Sequence, residues 1–197
     1  MRILIILLIL ISINIQSQNL PEFTSNASDN DKANSLVFQA FNNKYDMVIS
    51  YTRSCYWPTE QWYFVLVNKN NKWEFFKWII KFNGRTKDKE NIISTKIKNQ
   101  SLKNEEIDSL FNFWTINSFL ELSIDSINCS SKVENDSMII DMQVTDGCSD
   151  VFEIFSKDKY RMVYSYMPDY YQKEIPILQR QDFILCRIMF FKLLEIK

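Results

Sequence analysis

The chain has 197 residues, 46% hydrophobic and 15% aromatic, and its 23 basic and 24 acidic residues give a formal net charge of -1. This balance leaves no positive excess to neutralise phosphates, so no nucleic-acid partner is expected. The absence of histidine excludes Ser-His and Cys-His catalytic pairs and histidine metal ligation. No cysteine spacing fits a metal motif, and we expect neither a metal nor a cofactor.

The N-terminus has the pattern of a secretory signal peptide. Arg2 precedes an apolar run over residues 3–13, and Ser17 supplies a small residue for cleavage. The run is shorter than the roughly 20 residues that cross a bilayer as a helix, so no stable membrane anchor is expected after cleavage. We therefore predict a secreted or periplasmic protein. Its parts would be a signal peptide at 1–17, a flexible polar lead-in at 18–35 and a single α+β domain at 36–197.

The next segment combines a strand with the loop that looks most functional. Residues 45–51 alternate in polarity, which predicts a strand. The loop at 52–60 then brings together Arg53, Tyr56 and Trp57 beside a proline, and exposed loop aromatics often serve binding. A disulfide-tied connector whose aromatic residues complete the core explains the same loop, and we favour that interpretation.

The stretch at 61–82 organises the rest of the chain. Two apolar runs flank the polar break at 68–71, which predicts a β-hairpin whose Asn-rich loop has two or four residues. Strict alternation makes both faces of this hairpin apolar. One face would carry Trp62, Phe64, Leu66, Trp73, Phe75 and Ile79, and the other Tyr63, Val65, Val67, Phe76, Trp78 and Ile80. Each face needs a cover, or one of them is an aromatic platform for a ligand or partner.

The remaining elements complete an α+β pattern. Strands are predicted at 92–97, 138–144, 151–155 and 160–166, and helices at 101–114 and 177–194. The first helix would bury Ile107, Leu110, Phe111 and Trp114. The second would bury Ile177, Ile184, Ile188 and Phe191, widened by Leu185 and Phe190, with Gln179, Arg180 and Asp182 on its polar side. The predicted fold is an antiparallel meander sheet of about six to seven strands packed with two α-helices.

The register of the last hairpin can also be predicted. A three-residue loop at 157–159 would place Phe152 and Ile154 opposite Tyr164 and Met162 on the core face. Glu153 and Arg161 would then share the outer, exposed face, where an ion pair contributes little.

The four cysteines, Cys55, Cys129, Cys148 and Cys186, all follow the predicted signal peptide. An even number in an oxidising compartment suggests two disulfides, for which three pairings exist. Cys129 and Cys148 flank one predicted strand, but a tight turn at 134–136 would place Cys129 opposite a residue near Asp141. Cys186 lies in a predicted helix, where burial as a small apolar residue competes with a bond to Cys55.

These features favour a non-enzymatic binding or interaction protein of the cell envelope or extracellular space. Its partner would be an envelope protein or a glycan, because aromatic side chains stack on sugar rings and anchor protein interfaces. The candidate binding residues are Arg53, Tyr56, Trp57, Trp62 and Trp78. For Trp62 and Trp78 a place in the core is the stronger alternative.

Two other functions fit the sequence. A carboxylate-based hydrolase of envelope or extracellular glycans would use Asp141 or Glu153 with a second acid. A small inhibitor or immunity-type protein would share every feature of the binding module and differ only in its partner.

Overall fold

The computed structural model describes residues 20–56, 59–82, 92–134 and 138–195, so the predicted signal peptide at 1–17 and Trp57 lie outside the described residues. The strands are β1 Met47–Cys55, β2 Glu60–Lys69, β3 Lys72–Phe82, β4 Ile92–Leu102, β5 Ser131–Glu134, β6 Met138–Asp141, β7 Cys148–Ser156 and β8 Tyr160–Tyr166. The helices are α1 Asp29–Asn34, α2 Leu36–Phe41, α3 Asn104–Ile116, α4 Ile124–Ile127, α5 Pro168–Glu174 and α6 Leu178–Leu193, with a 3-10 turn at Phe119–Glu121.

Six strands form one antiparallel sheet in the order β4-β3-β2-β1-β7-β8, which confirms the predicted α+β fold. One predicted strand belongs elsewhere. Residues 138–144 were expected to join this sheet, but β6 covers only Met138–Asp141 and pairs with β5 in a separate hairpin. The reason is that β1 and β8 occupy both edges of β7, so β6 has no edge of β7 to bond.

The β2–β3 hairpin has the shorter of the two expected loops. Lys69 pairs with Lys72, so the loop consists of Asn70 and Asn71 alone. Both have positive φ, 53° and 60°, as a two-residue turn compatible with strand twist requires. Asn tolerates this conformation better than most residues, and Asp46 fixes the turn by accepting a hydrogen bond from the Asn70 backbone N–H at 2.7 Å.

One face of the sheet, here called the helix face, carries Leu66 and Phe152 and is covered by both long helices. From α3, Trp114 packs its ring 5.7 Å from that of Phe152. From α6, Phe190 packs 5.3 Å from the same ring. The predicted facing of the hairpin is confirmed on this side, because Phe64, Leu66, Trp73 and Phe75 all lie in the helix-face core. The predicted apolar stripe of α3 is confirmed as well.

The predicted stripe of α6 is confirmed for Phe190, and Ile184 and Phe191 pack against the helix-face core, but the buried side is rotated away from the rest of the stripe. The helix buries Arg180, Phe183, Cys186, Arg187 and Phe190, while Leu185 and Ile188 are 37% and 50% exposed. Two arginines can be buried because their charges have partners. Arg180 donates to the backbone carbonyls of Ile127 at 2.8 Å, Ile175 at 2.6 Å and Cys129. Neither α6 nor any other helix in the described part of the chain is long and apolar enough to cross a membrane.

The second face of the sheet is covered by the segment expected to be a flexible lead-in. Phe23 is buried in the helix-face core. Asn26 then exchanges side-chain hydrogen bonds with the backbone of Met162, at 2.7 and 2.8 Å, on the edge strand β8. Beyond this edge, Val37 and Phe41 of α2 pack on the second face beside Trp78. From residue 20 onward the segment therefore wraps one sheet edge, which protects an otherwise open strand.

The predicted register of the last hairpin is wrong by one residue. Phe152 lies opposite Val163, and Ser156 bonds to Lys159 across a two-residue loop. Because a one-residue shift turns every side chain to the other face, Arg161 moves to the helix face. Glu153, expected to be exposed, is 7% exposed on the second face.

Candidate functional site

The structure does not gather the predicted aromatic residues into one platform. Trp62 and Trp78 point to opposite faces of the β2–β3 hairpin, and Trp78 is buried in the core of the second face. Trp62 is 38% exposed, and the Lys77 ammonium lies 4.0 Å from its ring centroid. Tyr56 is 66% exposed beyond β1. Of the predicted aromatic residues that the structure describes, Trp62 and Tyr56 are therefore exposed and Trp78 is not.

Arg53 belongs to a charged cluster at one end of the helix face, here called the Asp150 cluster (Tyr51, Arg53, Asp150, Asp169 and Arg187). Asp150 is fully buried and accepts hydrogen bonds from Arg53 and Tyr51, both at 2.8 Å, and from Arg187. Arg187 also donates two hydrogen bonds to the carboxylate of Asp169, at 2.9 and 2.6 Å. Two cations thus balance two carboxylates, and we assign this cluster a structural role.

The pKa values of Asp169 and Tyr51 reflect these contacts. The hydrogen bonds from Arg187 hold the pKa of Asp169 below its ordinary value, with the positive charges of Arg187 and Arg53 acting in the same direction. Burial, and then the charge of Asp150, raises the pKa of Tyr51 well above its ordinary value. Both groups therefore keep one protonation state around neutral pH.

A single disulfide, Cys55–Cys148, closes the same end of the sheet. The two residues are register partners on β1 and β7 with Cα atoms 4.3 Å apart, the spacing of a non-hydrogen-bonded antiparallel pair. Cys129 is exposed and Cys186 is buried, and neither is bonded to another cysteine. A disulfide is therefore confirmed, but only one of the two expected bonds forms, it joins neither Cys129 to Cys148 nor Cys55 to Cys186, and Cys186 is a buried apolar residue.

The second face contains a different kind of site, here called the Glu153 pocket. It is a cavity of about 420 Å³, within the range of about 300–1,000 Å³ typical of small-molecule sites. It lies where α1 and α2 meet the sheet beside β1, β2 and β7. Its lining residues are Asn34, Ser35, Leu36, Thr52, Ser54, Gln61, Tyr63, Phe82, Val151 and Glu153.

The carboxylate of Glu153 is fixed by two hydroxyl groups. Tyr160 donates to Oε2 at 2.6 Å, and Ser35, which also caps α2, donates to the same oxygen. Among the described residues no Lys or Arg forms an ion pair with Glu153. Burial raises the pKa of Glu153 above its ordinary value, and the two hydroxyl donors oppose that rise. Within the described part of the chain, this acid therefore lacks the cation that buried carboxylates normally have.

Several polar atoms of the pocket are not used by the fold. Gln61 Nε2 donates to Thr52 Oγ1 at 3.1 Å, and Thr52 donates to the Trp62 carbonyl at 2.9 Å. Within the described part of the chain, however, Glu153 Oε1, Tyr63 Oη and Gln61 Oε1 have no hydrogen-bond partner. These three atoms belong to residues that line one cavity, so they are available to a ligand.

Comparison with protein-family models, curated proteins and solved structures finds no match to this chain. The pocket itself therefore has to indicate the chemistry. The described lining residues supply hydroxyl, amide and carboxyl groups and include no Lys or Arg, so they favour neutral or cationic ligands over anions. Across the described residues, no group of three or more Cys, Asp or Glu side chains is placed to hold a metal ion.

The pocket offers one carboxylate, whereas glycoside hydrolysis ordinarily needs two acids across a cleft. Among the described lining residues, Glu153 is the only acid. The other buried acid of β7, Asp150, lies on the opposite face of the sheet and already pairs with arginines. The side chain of Asp141 lies outside the described residues.

Sequence reasoning missed the pocket because it treated residues 18–35 as a flexible lead-in, whereas Asn34, Ser35 and the start of α2 cover this face of the sheet. A local signal was present nonetheless. Val151 and Phe155, two positions before and after Glu153, are both apolar, and residues two apart share a face. An acid between two apolar neighbours on a strand with a second apolar face is expected to be buried. Its partner Ser35, however, is 118 positions away in sequence.

Proposed function

We propose that this chain is an exported binding protein of the cell envelope or extracellular space that holds a small polar ligand in the Glu153 pocket. The observation that carries the proposal is the buried carboxylate of Glu153, which lines a cavity and has no cationic partner among the described residues. A carboxylate used only for stability would be paired, as Asp150 is.

Two observations support export. The first 17 residues have a signal-peptide pattern, and Cys55 and Cys148 form a disulfide, a bond typical of oxidising compartments. Intact mass of the protein from its native host, measured with and without reduction after thiol alkylation, tests this part. We expect residues 1–17 to be missing and two of the four cysteines to react only after reduction. An intact N-terminus with four reactive thiols would overturn the proposal of export.

The site differs from the aromatic platform first expected. A glycan remains a suitable ligand because hydroxyl and amide groups line the cavity. Occlusion of another protein would instead use an exposed surface, and Trp62 and Tyr56 do not form a continuous one with Trp78, which is buried. The pocket therefore favours a small ligand, or one unit of a larger glycan, over a protein partner.

Binding can be tested on the mature protein by NMR, without any variant. A panel of small sugars, polyols, amines and carboxylic acids at millimolar concentration is added, and backbone amide shifts are followed. We expect shifts at Thr52, Gln61 and Glu153, with Asp169 in the Asp150 cluster as the internal reference. Absence of shifts at the pocket with every member of the panel would overturn the proposed function.

A pocket-filling variant provides an independent check. Val151 is half-buried and lines the cavity, so Val151→Phe should reduce the volume open to a ligand. Loss of the pocket shifts with an unchanged circular dichroism spectrum is the expected result. If the variant binds as the wild type does, the ligand occupies another site.

A further inference from the structure

Resting on the proposed function, we infer that the ligand of the Glu153 pocket carries a protonated amine that forms an ion pair with Glu153. The rest of the ligand would present hydroxyl or amide groups to the other polar atoms of the cavity. Amino sugars and small amino alcohols are the chemical class that combines these features.

The charge of the site is the first argument. Glu153 is 7% exposed, and a buried carboxylate is unfavourable unless it is paired, bound to a metal or protonated. No described Lys or Arg forms an ion pair with it, and no metal-binding group occurs among the described residues. A ligand ammonium would supply the missing cation in a setting shielded from water, where charge pairing is strong.

The geometry of the carboxylate is the second argument. Both hydroxyl donors bind Oε2, so Oε1 is left for a donor that enters from the cavity. Tyr160 and Ser35 hold the carboxylate in place before a ligand arrives, which reduces the entropy lost on binding. An ammonium group has three N–H donors and no acceptor, so it suits a carboxylate oxygen that accepts no bond from the described residues.

The wall of the pocket is the third argument. Tyr63 is 5% exposed, and its hydroxyl has no hydrogen-bond partner among the described residues. Gln61 uses its amide nitrogen on Thr52 and leaves its carbonyl oxygen unused. A hydroxyl group of a ligand can both donate and accept, so it can satisfy either atom. The pocket therefore combines one site for a cation with neighbouring sites for neutral polar groups.

The titratable groups around Glu153 predict how binding depends on pH. Tyr63 and Tyr160 face it, and burial raises the pKa of both phenols far above neutral pH. Asp31 acts on Tyr160 and has its own pKa lowered by hydrogen bonds from Ser28. Among these facing groups, the ionisation of Glu153, whose pKa burial raises above its ordinary value, is then the one that decides the charge of the site. Amine affinity should rise with pH through the pKa of Glu153, because the pair requires the ionised carboxylate.

Matched probes test the inference on the mature wild-type protein. Glucosamine is compared with glucose, and ethanolamine with ethylene glycol, so that each pair differs in one ammonium group. We expect the ammonium member to shift the pocket amides at lower concentration than its neutral counterpart. We also expect its affinity to be lower at acid than at neutral pH. Equal affinity of both members, or affinity that falls as pH rises towards neutral, would overturn the inference.

Two acid-to-amide variants locate the interaction. Glu153→Gln keeps the shape of the side chain and removes its charge, and it should weaken ammonium binding about tenfold or more. Asp169→Asn removes a carboxylate of the Asp150 cluster and should leave binding unchanged. Weakening by Asp169→Asn alone would place the amine at the wrong end of the molecule and overturn the inference.

The outcomes separate this inference from the proposed function. If neutral sugars or polyols shift the pocket amides and amines do no better, the pocket binds polar ligands and the inferred ammonium is wrong. If the wider panel of the preceding section produces no pocket shifts at all, the proposed function itself fails. The pH dependence of the wild type decides the inference even if Glu153→Gln does not fold.

Discussion

Strand β7 carries two buried acids that lie three residues apart, and their surroundings differ completely. Asp150 faces the helix face, where two arginines and a tyrosine bind it. Glu153 faces the second face, where two hydroxyl groups bind one oxygen and a cavity adjoins the side chain. The same chemical group is thus neutralised by the fold in one place and left without a cation in the other.

The difference between Asp150 and Glu153 distinguishes a carboxylate that stabilises the fold from one that can bind a ligand. A carboxylate whose charge and hydrogen bonds are satisfied within the fold has no capacity left for a ligand. A buried carboxylate without a cation lowers stability when ionised and retains that capacity. Four variants should sharpen or break this comparison.

The largest expected effect is that of Asp150→Asn. It leaves the buried guanidinium of Arg187 without one of its two carboxylates, and the free energy of unfolding should fall by about 3–5 kcal/mol. Urea denaturation measures the change. Asp158→Asn, in the exposed β7–β8 loop, is the matched control and should change stability by no more than about 0.5 kcal/mol. A loss below about 1 kcal/mol for Asp150→Asn would show that the cluster is not a stabilising unit.

Removal of the disulfide beside the Asp150 cluster should have the next largest effect. The bond joins residues separated by 93 positions, and the Cys55→Ser, Cys148→Ser double variant should lose about 2–4 kcal/mol of stability. Thermal unfolding followed by circular dichroism measures it. Cys129→Ser, which replaces an exposed cysteine outside any disulfide, should be nearly neutral. Equal effects of the two changes would mean that the cross-link contributes nothing.

Glu153→Gln should show a pH-dependent effect of the opposite sign. The pKa of Glu153 is raised from its ordinary value of 4.5, so the fold favours the protonated form. Its contribution to stability is fully present below pH 4.5 and is lost as pH rises through the raised pKa. The stability of the variant relative to wild type should therefore increase with pH, by about 1.4 kcal/mol for each unit of pKa difference. Urea denaturation at a series of pH values measures the gap, and a gap independent of pH would contradict a raised pKa.

The smallest effect is expected for Asp169→Asn. This carboxylate is 59% exposed, so solvent screens its pairs with Arg187 and Arg53, and the loss should be about 1 kcal/mol or less at neutral pH. Its pKa is lowered, so this contribution is present above the ordinary value of 3.8 and disappears as pH falls through the lowered pKa. Denaturation at neutral and acid pH should show the difference shrinking in acid. A loss as large as that of Asp150→Asn would mean that the exposed pair is the main anchor of Arg187.

The sequence by itself determined the elements whose evidence is local. Alternation over 61–82 predicted the hairpin and both of its apolar faces, since side-chain direction in a strand depends only on position. The tolerance of Asn for positive φ made a tight loop possible at 68–71, although its length was left open at two or four residues, and helical spacing predicted the buried side of α3. In each case the residues that show the pattern are the same residues that form the helix or hairpin.

Only the tertiary structure decided the features that depend on distant partners. The burial of Arg187 requires Asp150, the burial of Glu153 requires Ser35, and the disulfide joins strands that the order of the chain does not make neighbours. The register of β7 against β8 belongs to the same class, because a shift of one residue exchanges the two faces without changing the local pattern of either strand. Charge and hydrogen-bond partners are chosen by three-dimensional proximity, which periodicity along the chain does not encode. For that reason the sequence predicted the sheet, whereas the fold decided which of its acids could serve a ligand.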